Sequence, residues 1–371
     1  MAYKTSYSDQ RRMEIVEHTR SLLSELPNDV YDYILAISDS TQPLTRLGYV
    51  RDLRLFFTYL QKENPKFSTK PMLAWTSDDF ALITARDITM FLDYLTLYFN
   101  EADEMLSNHE LGKQRKFYSV RAFFKWMYKQ QKLKNDVTAL VDAPKRHEKP
   151  ILRLDIEEVK RLLKTVADGE ALSGRQKAFH RLTAARDLAM VTLLLGTGIR
   201  VSECAGLDID DVNLENGSFL VTRKGGNQAI LYLPDEVLPV MRDYMDVRME
   251  IEAAPGDEQA LFLSLQKRRM NIRSIQNMVK KYAAIAAPLK KRISPHKLRS
   301  TFGTNLYNET GDIYLVADQL GHSDINTTRR HYAAMSEDRR RMAASHVHLG
   351  IEPRATKAQD DTAEDPDAGS E

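Results

Sequence analysis

Cysteine is almost absent from this 371-residue chain: Cys204 is the only one. One thiol cannot build a disulfide framework or a thiolate metal cage. Long apolar runs are missing too. The longest, Leu188 to Ile199, falls well short of the roughly 20 residues that span a bilayer. The opening residues, MAYKTSYSDQRRMEIVEH, are polar and charged, without the apolar centre of a signal peptide. A reducing cytoplasm is therefore the expected location. Apolar content is ordinary, and the length exceeds one typical core, so a globular protein of two domains is expected.

Net charge is also small, at +1, but its distribution is uneven. Between Gly112 and Pro150 stand eleven basic residues against three acids, whereas Ile351 to Glu371 holds seven acids against two basic residues. A basic stretch in mid-chain and an acidic, Ala/Asp-rich end fit a body that binds a polyanion and a disordered tail. A solvated helix face would give the same charge count.

The first third has helical periodicity. Tyr49, Leu53, Phe56, Phe57 and Leu60 recur at helical spacing, as do Ile88, Phe91, Leu92 and Leu95, and then Phe117, Val120, Phe124 and Met127. Three core helices of a small bundle are expected. The third carries Arg121, Lys125 and Lys129 at i, i+4, i+8, a basic edge beside the apolar stripe that could meet phosphates. The run DAPKRHEKP, Asp142 to Pro150, reads as a linker.

Beyond it, DIEEVKRLLKTV opens a helix with acids in its first turn, where the helix dipole favours them. Ala185 to Leu195 is apolar nearly all round and should be a central helix. Two strands, 217–223 and 229–233, flank Lys224-Gly225-Gly226-Asn227, a hairpin turn by composition. Most of 235–348 should be helical, broken at Pro255-Gly256, Pro288 and Gly321.

Several groups in this half could handle an anion. In SPHKLR, Ser294 fits an N-cap and Pro295 the first helical position. His296 then lies where free backbone N–H groups favour an anion, and Arg299 follows one turn later with a guanidinium fork. A capped helix whose His and Arg face water is the alternative. Arg200 follows Gly196-Thr197-Gly198 at the end of the apolar helix, where it needs an anion or a carboxylate such as Glu203. Lys224 at a hairpin tip is by itself an ordinary solvated lysine. After Gly321-His322, the residues Ile325, Thr328 and Tyr332 share one helix face, which suits a core tyrosine as well as a nucleophile. The acidic run Asp208 to Asp211 lacks a histidine at ligand spacing and reads as a turn; His346-Val347-His348 is likewise incidental.

Together the segments TGIRVSE, RKGG, SPHKLR and LGHSDINTTRRHY resemble, in order and spacing, the motifs of the tyrosine recombinase (phage integrase) family. The resemblance covers about Thr41 to His348 and is nearest to the Xer branch, particularly the XerS-type recombinases that act alone. Integrases of mobile elements share these motifs. Two departures are visible: Ser300 stands where many relatives carry a second histidine, and Cys204 replaces a common leucine.

The fold implied is mainly α with a small antiparallel β-sheet. It would have an N-terminal extension (1–40), a helical, SAM-like core-binding domain (41–141), a linker (142–150), a catalytic domain (151–349) and an acidic tail (350–371). By the same resemblance Tyr332 is the nucleophile that attacks a DNA phosphodiester to give a 3′-phosphotyrosyl bond. Arg200, Arg299 and His322 would hold the phosphate, Lys224 would protonate the leaving 5′-oxygen, and His296 would assist proton transfer from Tyr332. No metal or other cofactor is implied. Lys113, Arg115, Lys116, Arg121, Lys125, Lys145 and Arg146 are the expected DNA contacts. The implied partners are double-stranded DNA with an inverted-repeat site, three further copies of the chain in a tetramer on two such sites, and a DNA translocase or other accessory protein. Ser336 to Leu349 would supply a helix exchanged between neighbouring copies.

Overall fold

The computed structural model describes residues 7–100, 102–145, 152–223, 225–290, 293–322 and 324–332, with the backbone alone at 327 and 330–332. The apolar side chains of these residues gather into two large cores.

The first core belongs to α1 (Tyr7–Leu23), α2 (Asn28–Ala36), α3 (Pro43–Glu63), α4 (Ser77–Ala81), α5 (Ala85–Tyr94) and α6 (Glu110–Lys129), with a two-residue β1–β2 hairpin (Tyr98–Phe99, Met105–Leu106) between the last two helices. The three expected core helices are α3, α5 and α6. Phe56, Phe57, Phe91, Phe117, Phe123 and Phe124 are fully buried. Their rings meet edge to face, as at Phe56–Phe91 (4.9 Å between centroids) and Phe80–Phe123 (5.3 Å), the geometry that ring quadrupoles favour. Leu23, Leu26, Val30, Tyr33 and Ile34 from the α1–α2 region close the same core. Thr84 and Asp87 form a reciprocal capping box that starts α5.

The second core surrounds α8 (Gly174–Thr197), whose Ala189, Met190, Val191, Leu193 and Leu194 are buried. Against it pack α7 (Ile156–Asp168), α10 (Leu238–Met249), α11 (Ile272–Ala286) and α12 (Pro295–Thr310); α9 (Val201–Gly206) follows α8 directly. A three-stranded antiparallel sheet, β3 (Val212–Asn213), β4 (Ser218–Thr222) and β5 (Gln228–Tyr232), covers one side with Phe219, Val221 and Leu231 turned inward. Its hairpin, with Phe219 opposite Leu231, lies where the sequence pattern sets it; β3 is a short addition to that expectation. The fold is thus mainly α with a small antiparallel sheet.

The break expected at Pro255-Gly256 extends over residues 250–271, which form turns and isolated bridges instead of helix. Arg248 explains how an irregular segment holds together. Its buried guanidinium donates to the carbonyls of Ala260 (2.9 Å), Ile251 (3.1 Å) and Glu258 (2.8 Å), replacing the partners a helix would supply. The described chain ends with α13 (Ile313–Leu320) and α14 (Ile325–Tyr332), which packs on α13 and α12. Among the described residues no helix is long and apolar enough to cross a membrane.

Candidate active site

Two helix ends organise the site. The first is the C-terminus of α8, where Gly198 takes φ +64° and its N–H caps Leu194 O. A Cβ at Gly198 would lie 2.3 Å from the Phe302 ring, so conformation and space both demand glycine. The turn delivers Arg200 to the N-cap of α9. There Glu203 accepts from the Arg200 backbone N–H (2.7 Å) and from its Nη1 (2.8 Å). The internal pair foreseen for Arg200 therefore exists, and the same guanidinium has a second use: Nη2 donates to Gly321 O at 2.9 Å.

The second end is the C-terminus of α13, closed by Gly321 at φ +60°. Gly321 N–H bonds to Asp318 O and His322 N–H to Ala317 O (2.9 Å), a Schellman turn. The last carbonyls of any helix lack intrahelical partners and carry the negative end of its dipole. Here arginines take them. Arg223 donates to Asp318 O (3.0 Å) and Gln319 O (3.3 Å), Arg299 Nη2 to Leu320 O, and Arg200 to Gly321 O. Arg299 Nη1 also reaches Gly198 O at 2.6 Å, which ties the two helix ends together.

Arg200, Arg299 and His322, separated by up to 122 positions in sequence, thus meet at one turn. Arg299 is 5% exposed and Arg200 is half-buried. His296, one turn before Arg299 on α12, is exposed. Ser294 stands at the N-cap, as its position suggests, but its side chain makes no capping bond. His322 Nδ1 lies 2.7 Å from the hydroxyl of Thr328, which is fully buried on α14. Tyr332 follows Thr328 by one helical turn and so shares its face of α14. The Tyr332 side chain and all of Lys224 lie outside the described residues.

Arg223 escapes a sequence reading. An arginine at a strand end beside a turn lysine has no distinguishing mark, and only the proximity of α13 shows that it anchors the base of the hairpin. The Cys204 thiol beside the site is pushed up to about 12 by burial, with a smaller contribution from Glu203.

The expected DNA contacts divide by environment. Arg121 donates to Thr138 O (2.9 Å) and Val141 O (2.6 Å) and covers the Phe117 ring at 4.4 Å. Lys116 is buried and donates to Asn108 (2.8 Å), Lys113 donates to Thr96 (2.6 Å), and Arg115 pairs with Asp52. Lys125 and Lys145 are exposed, and Arg146 lies outside the described residues. No group of three or more potential metal ligands occurs among the described residues. Asp208 faces Arg269, and Asp211 accepts its backbone N–H, so this acidic run is a braced turn.

A family model described as the phage integrase family matches residues 153–339, which include Arg200, Arg223, His296, Arg299, His322 and Tyr332. The chain belongs to that family. It is a site-specific tyrosine recombinase of the Xer branch, an enzyme that breaks and rejoins duplex DNA through a phosphotyrosine. The tyrosine recombinase XerC of Caldanaerobacter subterraneus subsp. tengcongensis is 32% identical over 77% of this chain and 77% of its own. The tyrosine recombinase XerS of Streptococcus agalactiae is 39% identical, over 42% of this chain and 44% of its own. In fold, the chain resembles the XerH site-specific recombinase in a post-cleavage complex with a palindromic difH substrate. The TM-score is 0.58 at 19% identity, covering 90% of this chain and 93% of that one.

Proposed function

We propose that Tyr332 attacks a DNA phosphodiester held by Arg200, Arg299 and His322, forming a 3′-phosphotyrosyl bond and releasing a 5′-hydroxyl. The observation that carries this reading is the meeting of Arg200, Arg299 and His322 at the end of α13, followed directly by α14, which begins at Ile325 and ends on Tyr332. A phosphate bound there gains negative charge in the transition state, and fixed guanidinium donors oppose that charge without reorganising. Lys224, next to the anchored Arg223, protonates the departing oxygen. His296 assists deprotonation of Tyr332 as a general base. The phosphotyrosine conserves the energy of the broken bond, so a second 5′-hydroxyl rejoins the strand without ATP. With cations supplied by side chains, the chemistry calls for no metal.

The helices around the first core, within 41–141, form the core-binding domain and clamp the duplex opposite the catalytic domain (151–349), with 142–150 as the linker between them. Its DNA contacts in this reading are Lys113, Arg115, Lys116, Arg121, Lys125, Lys145 and Arg146, of which Lys125 and Lys145 are exposed lysines that suit phosphate contacts. The working unit is a homotetramer on two inverted-repeat sites, with 336–349 exchanged between copies, in the cytoplasm. The biological role is resolution of chromosome dimers by an XerS-type enzyme acting alone or with a DNA translocase; integration of a mobile element uses the same chemistry. The relatives named XerC and XerS support the first role.

The test is covalent capture on nicked suicide DNA. Wild type should accumulate a protein–DNA adduct with undiminished yield in excess EDTA, and Tyr332→Phe should form none while still binding DNA. An equal adduct yield from Tyr332→Phe removes Tyr332 from its role, and full inhibition by EDTA restores a metal mechanism. Recombination between two cognate duplexes separates a recombinase from the less favoured alternative, a type IB topoisomerase-like enzyme that would use similar chemistry to relax supercoils without joining two sites.

A further inference from the structure

A second arrangement of charge lies on the N-terminal helices and takes no part in the chemistry above. Asp52 of α3 has a side chain 2% exposed, while its partner, Arg115 of α6, is 55% exposed. The pair meets end-on: Arg115 Nη1 reaches Oδ2 at 2.5 Å and Nη2 reaches Oδ1 at 2.7 Å. Ser119, one turn further along α6, donates its hydroxyl to the same Oδ2 at 2.7 Å. Burial pushes the Asp52 carboxyl above its usual range, against the pull of Ser119, Arg115 and Lys116. Such a pair is a poor device for stability, because a buried carboxylate costs more to desolvate than one exposed partner returns. It is a good device for holding a guanidinium still.

The geometry of that guanidinium matters. An end-on pair takes one hydrogen from each Nη and leaves Nε–H beside the second Nη2 hydrogen, a parallel fork directed away from Asp52. Gly48 adds an independent observation. Glycine is a weak helix former, yet Gly48 lies inside α3, four residues before Asp52. A Cβ there would come 3.8 Å from Arg115 Nη1, an ordinary van der Waals contact and, outside α3 itself, the nearest among the described residues. Glycine at position 48 thus places no side chain against the Nη1 side of the guanidinium, the side held by Asp52.

Charge then selects what the fork recognises. Phosphate contacts draw on net positive charge. Asp52 cancels that charge at Arg115 but leaves its hydrogen-bond donors fixed in direction. Fixed donors with little net charge suit a base edge, and a guanine offers two acceptors, O6 and N7, at the spacing of an arginine fork.

We propose that Arg115, oriented by Asp52 and Ser119, reads a guanine edge in the major groove of the target duplex and sets part of the enzyme's site specificity. Asp52 is then a positioning residue, acting only through Arg115. This inference rests on the recombinase reading for its ligand, duplex DNA.

The experiment selects bound duplexes from a random-sequence library with the full-length chain. Wild type is compared with Arg115→Gln, Asp52→Asn and the double variant, which leaves no lone buried carboxylate; thermal melting checks that each folds. Wild type should enrich one fixed guanine per half-site, preferred about ten- to a hundredfold over other bases, the discrimination of one bidentate contact. Arg115→Gln should flatten that position alone. Asp52→Asn should weaken the same position while the rest of the motif and the salt dependence stay unchanged. Affinity lost evenly over all sequences, with a salt slope lower by about one per protomer, would make Arg115 a phosphate contact and overturn the proposal. An unchanged motif in all three variants would overturn it too. Adduct formation on the selected duplexes is scored in parallel. A wild type that selects sequence but forms no adduct fails the recombinase reading without touching the role of Arg115.

Discussion

Arg299 donates from Nη1 to the carbonyl of Gly198 at 2.6 Å, so a side chain of α12 closes the end of α8. Its Nη2 bonds to Leu320 O on α13, and one guanidinium thereby fixes the spacing of the two turns that carry Arg200 and His322.

Replacing Arg299 by lysine keeps the charge but loses the fork. An ammonium cannot span both carbonyls and still present a planar edge to a phosphate. Adduct formation by Arg299→Lys on suicide DNA should fall by about 10²–10³-fold, the usual loss for one transition-state donor, while equilibrium DNA binding changes little. Single-turnover rates beside a binding titration check both halves. A rate within a fewfold of wild type would show that charge alone suffices at this position.

Gly198→Ala meets two obstacles together. The left-handed conformation at φ +64° costs a non-glycine residue about 1–2 kcal/mol, and the new methyl would stand 2.3 Å from the Phe302 ring. Gly174→Ala is the control, since outside its own helix none of the described residues lies within 4 Å of its Cβ position and its φ is not in the positive range. Calorimetry should show the melting temperature of Gly198→Ala several degrees down, with Gly174→Ala unchanged or slightly raised.

The same two turns show what a sequence can and cannot disclose. Gly198 and Gly321 are legible because a glycine after an apolar run is the mark of a helix end. Arg200, Arg299 and His322 are legible because each stands beside such a mark or beside a proline-started helix. Arg223 is not, since its carbonyl partners lie 95 and 96 positions away. Periodicity draws Arg121, Lys125 and Lys129 as one basic edge, but it cannot tell that Arg121 bends back onto Thr138 O and Val141 O. Whether a long cation faces solvent or caps a neighbouring segment depends on loops that carry no periodic signal. The Asp52–Arg115 pair, 63 positions apart, is hidden for the same reason.

Buried phenols set an alkaline limit on the fold. Burial pushes Tyr244 up to about 12, and burial also raises Tyr33 and Tyr282, the latter with the Asp187 carboxylate beside it. Each is neutral in the folded state and ionises near 10 when unfolded. Stability is therefore fully present below pH 10 and declines as pH rises through the folded values. For Tyr244 the two-unit gap corresponds to roughly 3 kcal/mol at most. Titration followed at 295 nm should show exposed tyrosines ionising near pH 10 and a later, cooperative step coinciding with loss of helical circular dichroism. Smooth ionisation of every tyrosine near pH 10 with the helices intact would refute this burial.

Cys204 reports on the active-site turn from inside. It is fully buried in α9, next to Glu203, the carboxylate that pins both the backbone and the side chain of Arg200. Thiol reagents attack the thiolate, and burial has pushed this thiol up to about 12. Low thiolate content and lack of access act in the same direction, so at pH 8 the native protein should resist an aromatic disulfide reagent over hours. In urea one thiol per chain should react at once. Arg200→Ala removes the bonds to Gly321 O and Glu203 Oε1 that help hold α9 against α13, and labelling should then become faster at low denaturant, before global unfolding. Equal labelling rates in wild type and Arg200→Ala would mean that the core around Cys204 opens only with the whole domain and that Arg200 lends no local stability to its own turn.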